Sequence, residues 1–183
     1  MKKKYSTWAC LNVSEDSENK IRDFFINKIG IHNSLVLTNL HLTIYESEKV
    51  LKSLTASQSI CSHKVDCAAT RFMVLKPGGE NPDLQLLPAI NKVGIRFQNS
   101  SNINEEIKNY RSQIIVYEND EILGNRNQST LKKSAFGARF FQPHISFLKP
   151  QNGITDLRKV ADLFRNEIRE IEFDRFEIRH NLK

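Results

Sequence analysis

Two short segments of the sequence carry the same combination of chemically useful side chains. The first runs from His41 to Tyr45 (HLTIY) and the second from His144 to Leu148 (HISFL). Each begins with a histidine, has a hydroxyl residue two positions later, and is otherwise apolar. In a β-strand, residues i and i+2 point to the same face, about 6–7 Å apart. We therefore expect each segment to present one imidazole and one hydroxyl to a common surface: His41 with Thr43, and His144 with Ser146.

Two imidazoles and two hydroxyls suit the cleavage of a phosphodiester. One imidazole removes a proton from the attacking oxygen and the other protonates the leaving oxygen, and histidine serves both tasks because it titrates near neutral pH. The hydroxyls donate hydrogen bonds to the non-bridging phosphate oxygens and stabilise charge as it develops. No step of this scheme requires a metal ion or a cofactor. Two such motifs among five histidines arise by chance in about 1% of sequences of ordinary composition.

The pair of motifs resembles the signature of the 2H phosphoesterase superfamily, in which His-x-Thr/Ser occurs twice in one chain. The superfamily includes RNA 2′,3′-cyclic phosphodiesterases (the 2′-5′ RNA ligase family) and 2′,5′-phosphodiesterases. The resemblance implies that His41 and His144 are the acid/base pair and that Thr43 and Ser146 bind the phosphate. It also implies two pseudo-symmetric lobes around a central cleft, with residues 1–183 forming a single bilobal domain. The motif separation, 144 − 41 = 103 residues, is somewhat long for compact members.

The first half of the chain alternates strand-like and helix-like segments. Tyr5 to Val13 is rich in β-compatible residues and predicts a strand. Ser14 is a good N-cap for a helix that Gly30 would end. A second strand is expected from Leu40 to Tyr45 and a short helix from Glu46 to Leu54.

The second half continues this mixture. Lys64 to Leu75 predicts one strand, and the alternation of Val93, Ile95 and Phe97 predicts another. The remaining predictions are a helix at 103–114, a loop at 118–134, a strand at 143–148, a helix at 157–168 and a final strand at 171–178 with a bulge at Asp174-Arg175. Because helices and strands do not alternate strictly, the fold class is predicted to be α+β, with mostly antiparallel sheet and flanking helices.

Composition narrows the possible partners and the compartment. The net charge is +6, from 27 basic and 21 acidic residues, and a basic chain suits a phosphate-bearing partner. No apolar run approaches the roughly 20 residues needed to span a bilayer, and the basic start lacks an apolar signal segment. We expect a cytoplasmic monomer that does not bind membranes, with its three cysteines reduced.

Other residues are candidates for substrate contact, each with a structural alternative. Tyr45 is expected to share the face of His41 and Thr43, where it would border the phosphate or pack at the edge of the cleft. Arg139 and Phe140 precede the second motif. Arg139 would contact an anionic substrate or remain a solvated cation. Phe140 would stack on a base of the substrate or pack in the core. The same holds for the nearby side chains Arg126, Lys132, Lys133 and Phe141.

The segment from Cys61 to Cys67 is better interpreted as a strand than as a metal site. Cys61, His63 and Cys67 offer only three ligands in a segment that alternates like a strand, whereas structural zinc takes four. No metal and no cofactor are therefore predicted.

Three functions remain open from the sequence. The favoured one is a metal-independent phosphodiesterase that cleaves 2′,5′- or 3′,5′-phosphodiester bonds in small linear or cyclic nucleotides and oligonucleotides. The second is an RNA 2′,3′-cyclic phosphodiesterase. The third, from another class, is a non-catalytic RNA- or nucleotide-binding module on the same fold, although a pure binder would not need both imidazoles.

Overall fold

The computed structural model describes residues 7–47, 58–67, 70–75, 91–97 and 143–180. The helices and strands in these ranges are β1 (Thr7–Val13), α1 (Glu15–Asp23), a π-helical turn (Phe24–Lys28), a 3₁₀ turn (Asn33–Leu35), β2 (His41–Ser47), β3 (Gln58–Asp66), β4 (Thr70–Leu75), β5 (Lys92–Phe97), β6 (His144–Leu148), α2 (Leu157–Glu167) and β7 (Glu170–His180). The helix predicted at 103–114 and the loop predicted at 118–134 lie outside the described residues.

The described strands form one antiparallel sheet with the order β3-β7-β1-β2-β6-β5-β4. The fold is therefore α+β with an antiparallel sheet, as predicted. The two strands that carry the His-x-Thr/Ser motifs, β2 and β6, are neighbours near the middle of this sheet. Residues far apart in sequence are thereby placed side by side.

The sheet is strongly curled. Its two edge strands, β3 and β4, are joined by residues 67–69 alone, a link that spans at most about 14 Å. A flat sheet would separate strands six places apart by about 29 Å. Phe97 of β5 and Phe173 of β7, four strands apart, accordingly have ring centroids only 6.0 Å from each other.

The single strand predicted from Lys64 to Leu75 is wrong, because the chain changes partner within it. Residues up to Asp66 pair with β7, whereas residues from Thr70 onward pair with β5. The break is held locally: the Thr70 hydroxyl donates to the carbonyl of Cys67, 2.7 Å away, and the Cys67 amide donates to the carbonyl of Arg169 at 2.7 Å. Apolar alternation does not reveal such a break, since both halves keep a buried face.

The predicted helix after Ser14 is confirmed. The Ser14 hydroxyl accepts a hydrogen bond from the amide of Ser17 (3.4 Å), so it caps α1. Three acidic residues in the first turn suit the positive end of the helix dipole. The π-helical turn extends the helix to Lys28, and Gly30 follows with φ +81°, a conformation that glycine adopts readily.

α2 and the π-helical turn that extends α1 pack on one face of the sheet through aromatic side chains. Phe164 of α2 is fully buried, with ring centroids of Phe72 (4.9 Å), Phe24 (5.2 Å) and Phe147 (5.4 Å) around it. Phe147 follows Ser146 on β6, and its contacts with Phe164 and Phe72 place it on the face that the helices cover, opposite Ser146. The helices therefore cover the apolar face of β6 and leave the hydroxyl of Ser146 on the other face.

Two further predictions concern a bulge within β7 and the end of β2. The bulge predicted at Asp174-Arg175 is confirmed: Asn12 aligns with Arg175 and Val13 with Phe173, which leaves Asp174 as the extra residue. The helix predicted to begin at Glu46 is wrong at its start, because β2 continues to Ser47 by pairing with β1. Residues 48–54 of that predicted helix lie outside the described part of the chain.

Candidate active site

The two motifs meet where β2 pairs with β6. Leu42 aligns with Ile145 in this antiparallel pair, and both are fully buried. Continuing the register by one residue each way places His41 opposite Ser146 and Thr43 opposite His144. All four of these side chains are half-buried. The structure thus brings together the four residues that the sequence singled out, on the face that the helices do not cover.

In this register, the four positions form a rectangle with the histidines on one diagonal and the hydroxyls on the other. Directly opposed residues in an antiparallel pair have Cβ atoms about 4.5–5.5 Å apart, and diagonal neighbours about 7–8 Å. A single phosphate group hydrogen-bonded to both rings can bridge such a diagonal. The two hydroxyls would then approach that phosphate from the remaining corners.

The ring of His41 is oriented by a backbone carbonyl. Its Nδ1 lies 2.8 Å from the carbonyl oxygen of Asn39. Since a carbonyl only accepts, Nδ1 carries the hydrogen in this bond, and Nε2 of the neutral ring is left as the basic nitrogen. This is the arrangement that a histidine needs to take a proton from an attacking oxygen.

An arginine missed by the sequence reasoning lies beside the second motif. Arg96 of β5 aligns with His144 of β6, and its side chain is half-buried. In the described part of the chain, no hydrogen bond or salt bridge holds its guanidinium. The alternation of Val93, Ile95 and Phe97 already placed Arg96 on the polar face of a strand, but only the strand pairing shows that His144 is its neighbour.

A glycine keeps the strands next to the second motif close together. Gly94 aligns with Ser146, and a Cβ on Gly94 would collide with the carbonyl oxygen of Ile145. Because glycine has no side chain, the Ser146 hydroxyl is not covered from this position. The register between β5 and β6 shifts just before Gly94, and a glycine at such a shift is common because it permits close backbone approach.

On the other side of the motifs, a polar network lies along β1 and β7. Asn12 aligns with His41, and its amide donates to Glu177 at 2.7 Å. Arg179 pairs with Glu177 at 2.8 Å, and this hydrogen bond is the main reason that the pKa of Glu177 falls to about 2. The network fixes the strand that supports His41, and sequence alone gave no signal that these residues meet.

The cysteine on this face is not an activated nucleophile. Cys10 aligns with Thr43 but is fully buried, and burial raises the pKa of its thiol to about 11. A thiol with so high a pKa carries almost no thiolate at neutral pH. Burial likewise raises the pKa of Cys67 to about 12.

Of the other residues predicted to contact substrate, the structure describes Tyr45, which does not lie with the four motif residues. Tyr45 is only 3% exposed and belongs to the hydrophobic core. It aligns with Ala9 while Thr43 aligns with Cys10, so β2 carries an extra residue between them and the regular alternation is broken. Arg139 and Phe140 lie outside the described residues, as do Arg126, Lys132, Lys133 and Phe141.

A polar cavity of about 510 Å³ lies next to the turn that precedes His41. Its lining includes Asn12, Glu18, Asn39 and the two arginines Arg175 and Arg179. None of the four motif residues lines it. The cavity therefore adjoins the turn that orients His41 and is not the place where the two motifs meet.

Two further observations concern metals and membranes. Among the residues that the structure describes, no group of three or more His, Cys, Asp or Glu side chains is arranged to hold a metal ion. The side chains of Cys61 and His63, which entered the zinc interpretation, are not among those described. No helix in the described ranges is long and apolar enough to cross a bilayer.

Comparison with known proteins adds no assignment: no protein-family model matches the chain, and no curated protein matches it.

Proposed function

We propose that the protein is a metal-independent phosphodiesterase of the 2H type that acts on 2′,5′- or 3′,5′-linked nucleotides, linear or cyclic. The observation that carries the proposal is the pairing of Leu42 with Ile145. This pairing aligns two His-x-Thr/Ser motifs, 103 residues apart in sequence, so that four chemically useful side chains share one face of the sheet.

The order of the strands supports the two-lobed arrangement of the 2H superfamily. β1 pairs with β2, β5 pairs with β6, and the two pairs meet where β2 joins β6. A two-fold axis between β2 and β6 would relate β1 to β5 and the first motif to the second. We propose that the sheet divides into two such halves, each contributing one histidine and one hydroxyl.

In the proposed reaction, the phosphate binds between His41 and His144. His41 accepts a proton at Nε2 from the attacking oxygen, because its Nδ1 hydrogen is held by the Asn39 carbonyl. His144, starting protonated, gives its proton to the leaving oxygen. Thr43 and Ser146 donate to the non-bridging oxygens, and the Arg96 guanidinium adds positive charge on the His144 side.

The nature of the attacking oxygen decides the product. A neighbouring ribose hydroxyl gives a cyclic phosphate, whereas water gives a monoester. With ribose as nucleophile, the ring that served as base is protonated at the end and can return its proton in a later hydrolysis step. Both courses use the same four side chains.

The proposal is tested by incubating the protein with 2′,5′-linked, 3′,5′-linked, cyclic and 2′,3′-cyclic phosphate substrates in excess EDTA. Chromatography of the products identifies the bond that is broken. We expect turnover of a 2′,5′- or 3′,5′-linked substrate that EDTA does not diminish. Turnover of the 2′,3′-cyclic substrates alone would transfer the assignment to the RNA 2′,3′-cyclic phosphodiesterase activity. Activity that EDTA abolishes and a divalent ion restores would refute the two-histidine mechanism.

The non-catalytic alternative makes a different prediction. A binding module would hold one of these ligands, would turn over none of them, and would lose affinity on replacement of at most one of the two histidines by glutamine. The half-buried position of both imidazoles on one face favours catalysis, since a binder would need only one of them.

A further inference from the structure

We propose that Glu18 is a positioning residue for His41, acting through the peptide group that joins Asn39 to Leu40; this inference rests on the proposed function of His41 as the base. Glu18 lies in α1, and nothing in its sequence context marks it beyond a favourable place in the first turns of a helix. Its contacts with the turn before β2 assign it a second role.

The carboxylate of Glu18 holds the turn before β2 at two points. Oε1 accepts a hydrogen bond from the amide of Asn39 at 2.9 Å, and Oε2 accepts one from the amide of Leu40 at 2.8 Å. Each oxygen thus satisfies one amide. Charge-assisted bonds of this kind are about twice as strong as those between neutral groups.

The turn itself needs such support. Asn39 has φ +54°, in the left-handed region that costs most residues with a side chain roughly 1–2 kcal/mol and that Asn adopts more readily than most. On its other side, the carbonyl of Leu40 accepts from the amide of Val13 at 2.9 Å, which ties the turn to β1. Glu18 holds the peptide plane between Asn39 and Leu40 through the Leu40 amide, and Val13 holds the next peptide plane, between Leu40 and His41.

The peptide plane between Asn39 and Leu40 also holds the ring of His41. The amide N–H of Leu40 and the carbonyl of Asn39 belong to one peptide group. The N–H donates to Glu18 and the carbonyl accepts from Nδ1 of His41 at 2.8 Å. The three groups form a continuous chain of hydrogen bonds from carboxylate to peptide to imidazole.

This chain has a chemical consequence. The carboxylate polarises the peptide, and neighbouring hydrogen bonds in a chain strengthen one another. The Asn39 carbonyl becomes a better acceptor, so it keeps the hydrogen on Nδ1 and leaves Nε2 basic. When Nε2 takes a proton, the same carbonyl stabilises the resulting imidazolium.

Glu18→Gln tests the inference, because it keeps the shape of the side chain and one acceptor oxygen while removing the charge. Glu15→Gln is the matched control: Glu15 lies in the same helix and lines the same cavity, yet in the described residues it makes no bond to the turn. Glu18→Asp replaces Glu18→Gln if the latter does not fold. The hydrogen position on His41 is read by ¹H–¹⁵N correlation NMR of the ring nitrogens in ¹⁵N-labelled protein, with the ring assigned by His41→Gln.

In the wild type and in Glu15→Gln we expect neutral His41 to carry its hydrogen on Nδ1. In Glu18→Gln we expect a mixed population with hydrogen also on Nε2, a fall in kcat of roughly 10-fold or more, and little change in KM. The inference is overturned if Glu18→Gln keeps the wild-type ring signature, or if Glu15→Gln changes it equally. Absence of turnover in the wild type would instead count against the proposed function, and the NMR comparison would still decide the role of Glu18.

Discussion

Replacing Arg96 tests whether the residue beside the second motif helps to bind the phosphate. Arg96 aligns with His144 and is half-buried, so its guanidinium can reach an anion held between the motifs. Two unit charges 4 Å apart attract by about 4 kcal/mol at an effective dielectric constant of 20. Exposure to solvent on one side reduces this, and we take about 2 kcal/mol as the share lost in Arg96→Gln. That free energy corresponds to a fall in kcat/KM of roughly 30-fold.

The assay is steady-state turnover of the substrate identified by the panel, at low and at physiological salt. Lys92→Gln is the matched control, because it removes the same charge from β5 at an exposed position that aligns with Leu75. We expect Lys92→Gln to stay within about twofold of the wild type, since exposed charges are screened. Arg96→Lys should lie between wild type and Arg96→Gln, because it keeps the charge but loses the forked donors. Equal effects of Arg96→Gln and Lys92→Gln would refute a local role for Arg96.

Three further predictions concern the phosphate donors, the pH profile and stability. Thr43→Ala and Ser146→Ala should each lower kcat by about 10–10³-fold as a phosphate donor is lost, whereas Thr43→Ser should keep most activity; a Thr43→Ser variant as slow as Thr43→Ala would argue against hydroxyl donation. The rate should follow a bell-shaped pH curve with a maximum between about pH 6 and 8, since one imidazole must start neutral and the other protonated; a rate that rises steadily to pH 9 would indicate a different base. Finally, hydrogen bonding to Arg179 lowers the pKa of Glu177 from 4.5 to about 2, so Glu177 stabilises the fold above about pH 4.5, and this stabilisation is lost as the pH falls through about 2. Thermal unfolding should therefore show a lower Tm for Glu177→Gln than for wild type at pH 7 and a smaller difference near pH 2; a constant difference would contradict the role of this carboxylate.

Local features of the fold were predictable because they depend on neighbouring residues. The N-cap at Ser14, the strand after Pro143 and the apolar face of α2 follow from short-range spacing, and the structure confirms them. The bulge at Asp174 was visible as a one-residue slip in the alternation between Phe173 and Phe176. In each case the type and spacing of neighbouring side chains are enough to predict the feature.

The partners of each strand were not predictable from the same patterns. Period-two alternation shows which face of a strand is buried, but it does not show which strand lies beside it. Arg96 is therefore recognisable as a polar-face residue only, until pairing places it next to His144. The change of partner between Asp66 and Thr70 and the extra residue near Ile44 were missed for the same reason.

The most direct test of the central claim is the single-turnover rate, in excess EDTA, of the wild type, His41→Ala, His144→Ala and the double variant. Each single variant should be slower by roughly 10²–10⁴-fold, the usual contribution of one general acid or base. The double variant should be little slower than either single variant, because the two rings act as one unit across the β2–β6 pair. A near-wild-type rate in either single variant, with the fold intact by circular dichroism, would contradict the proposed two-histidine mechanism.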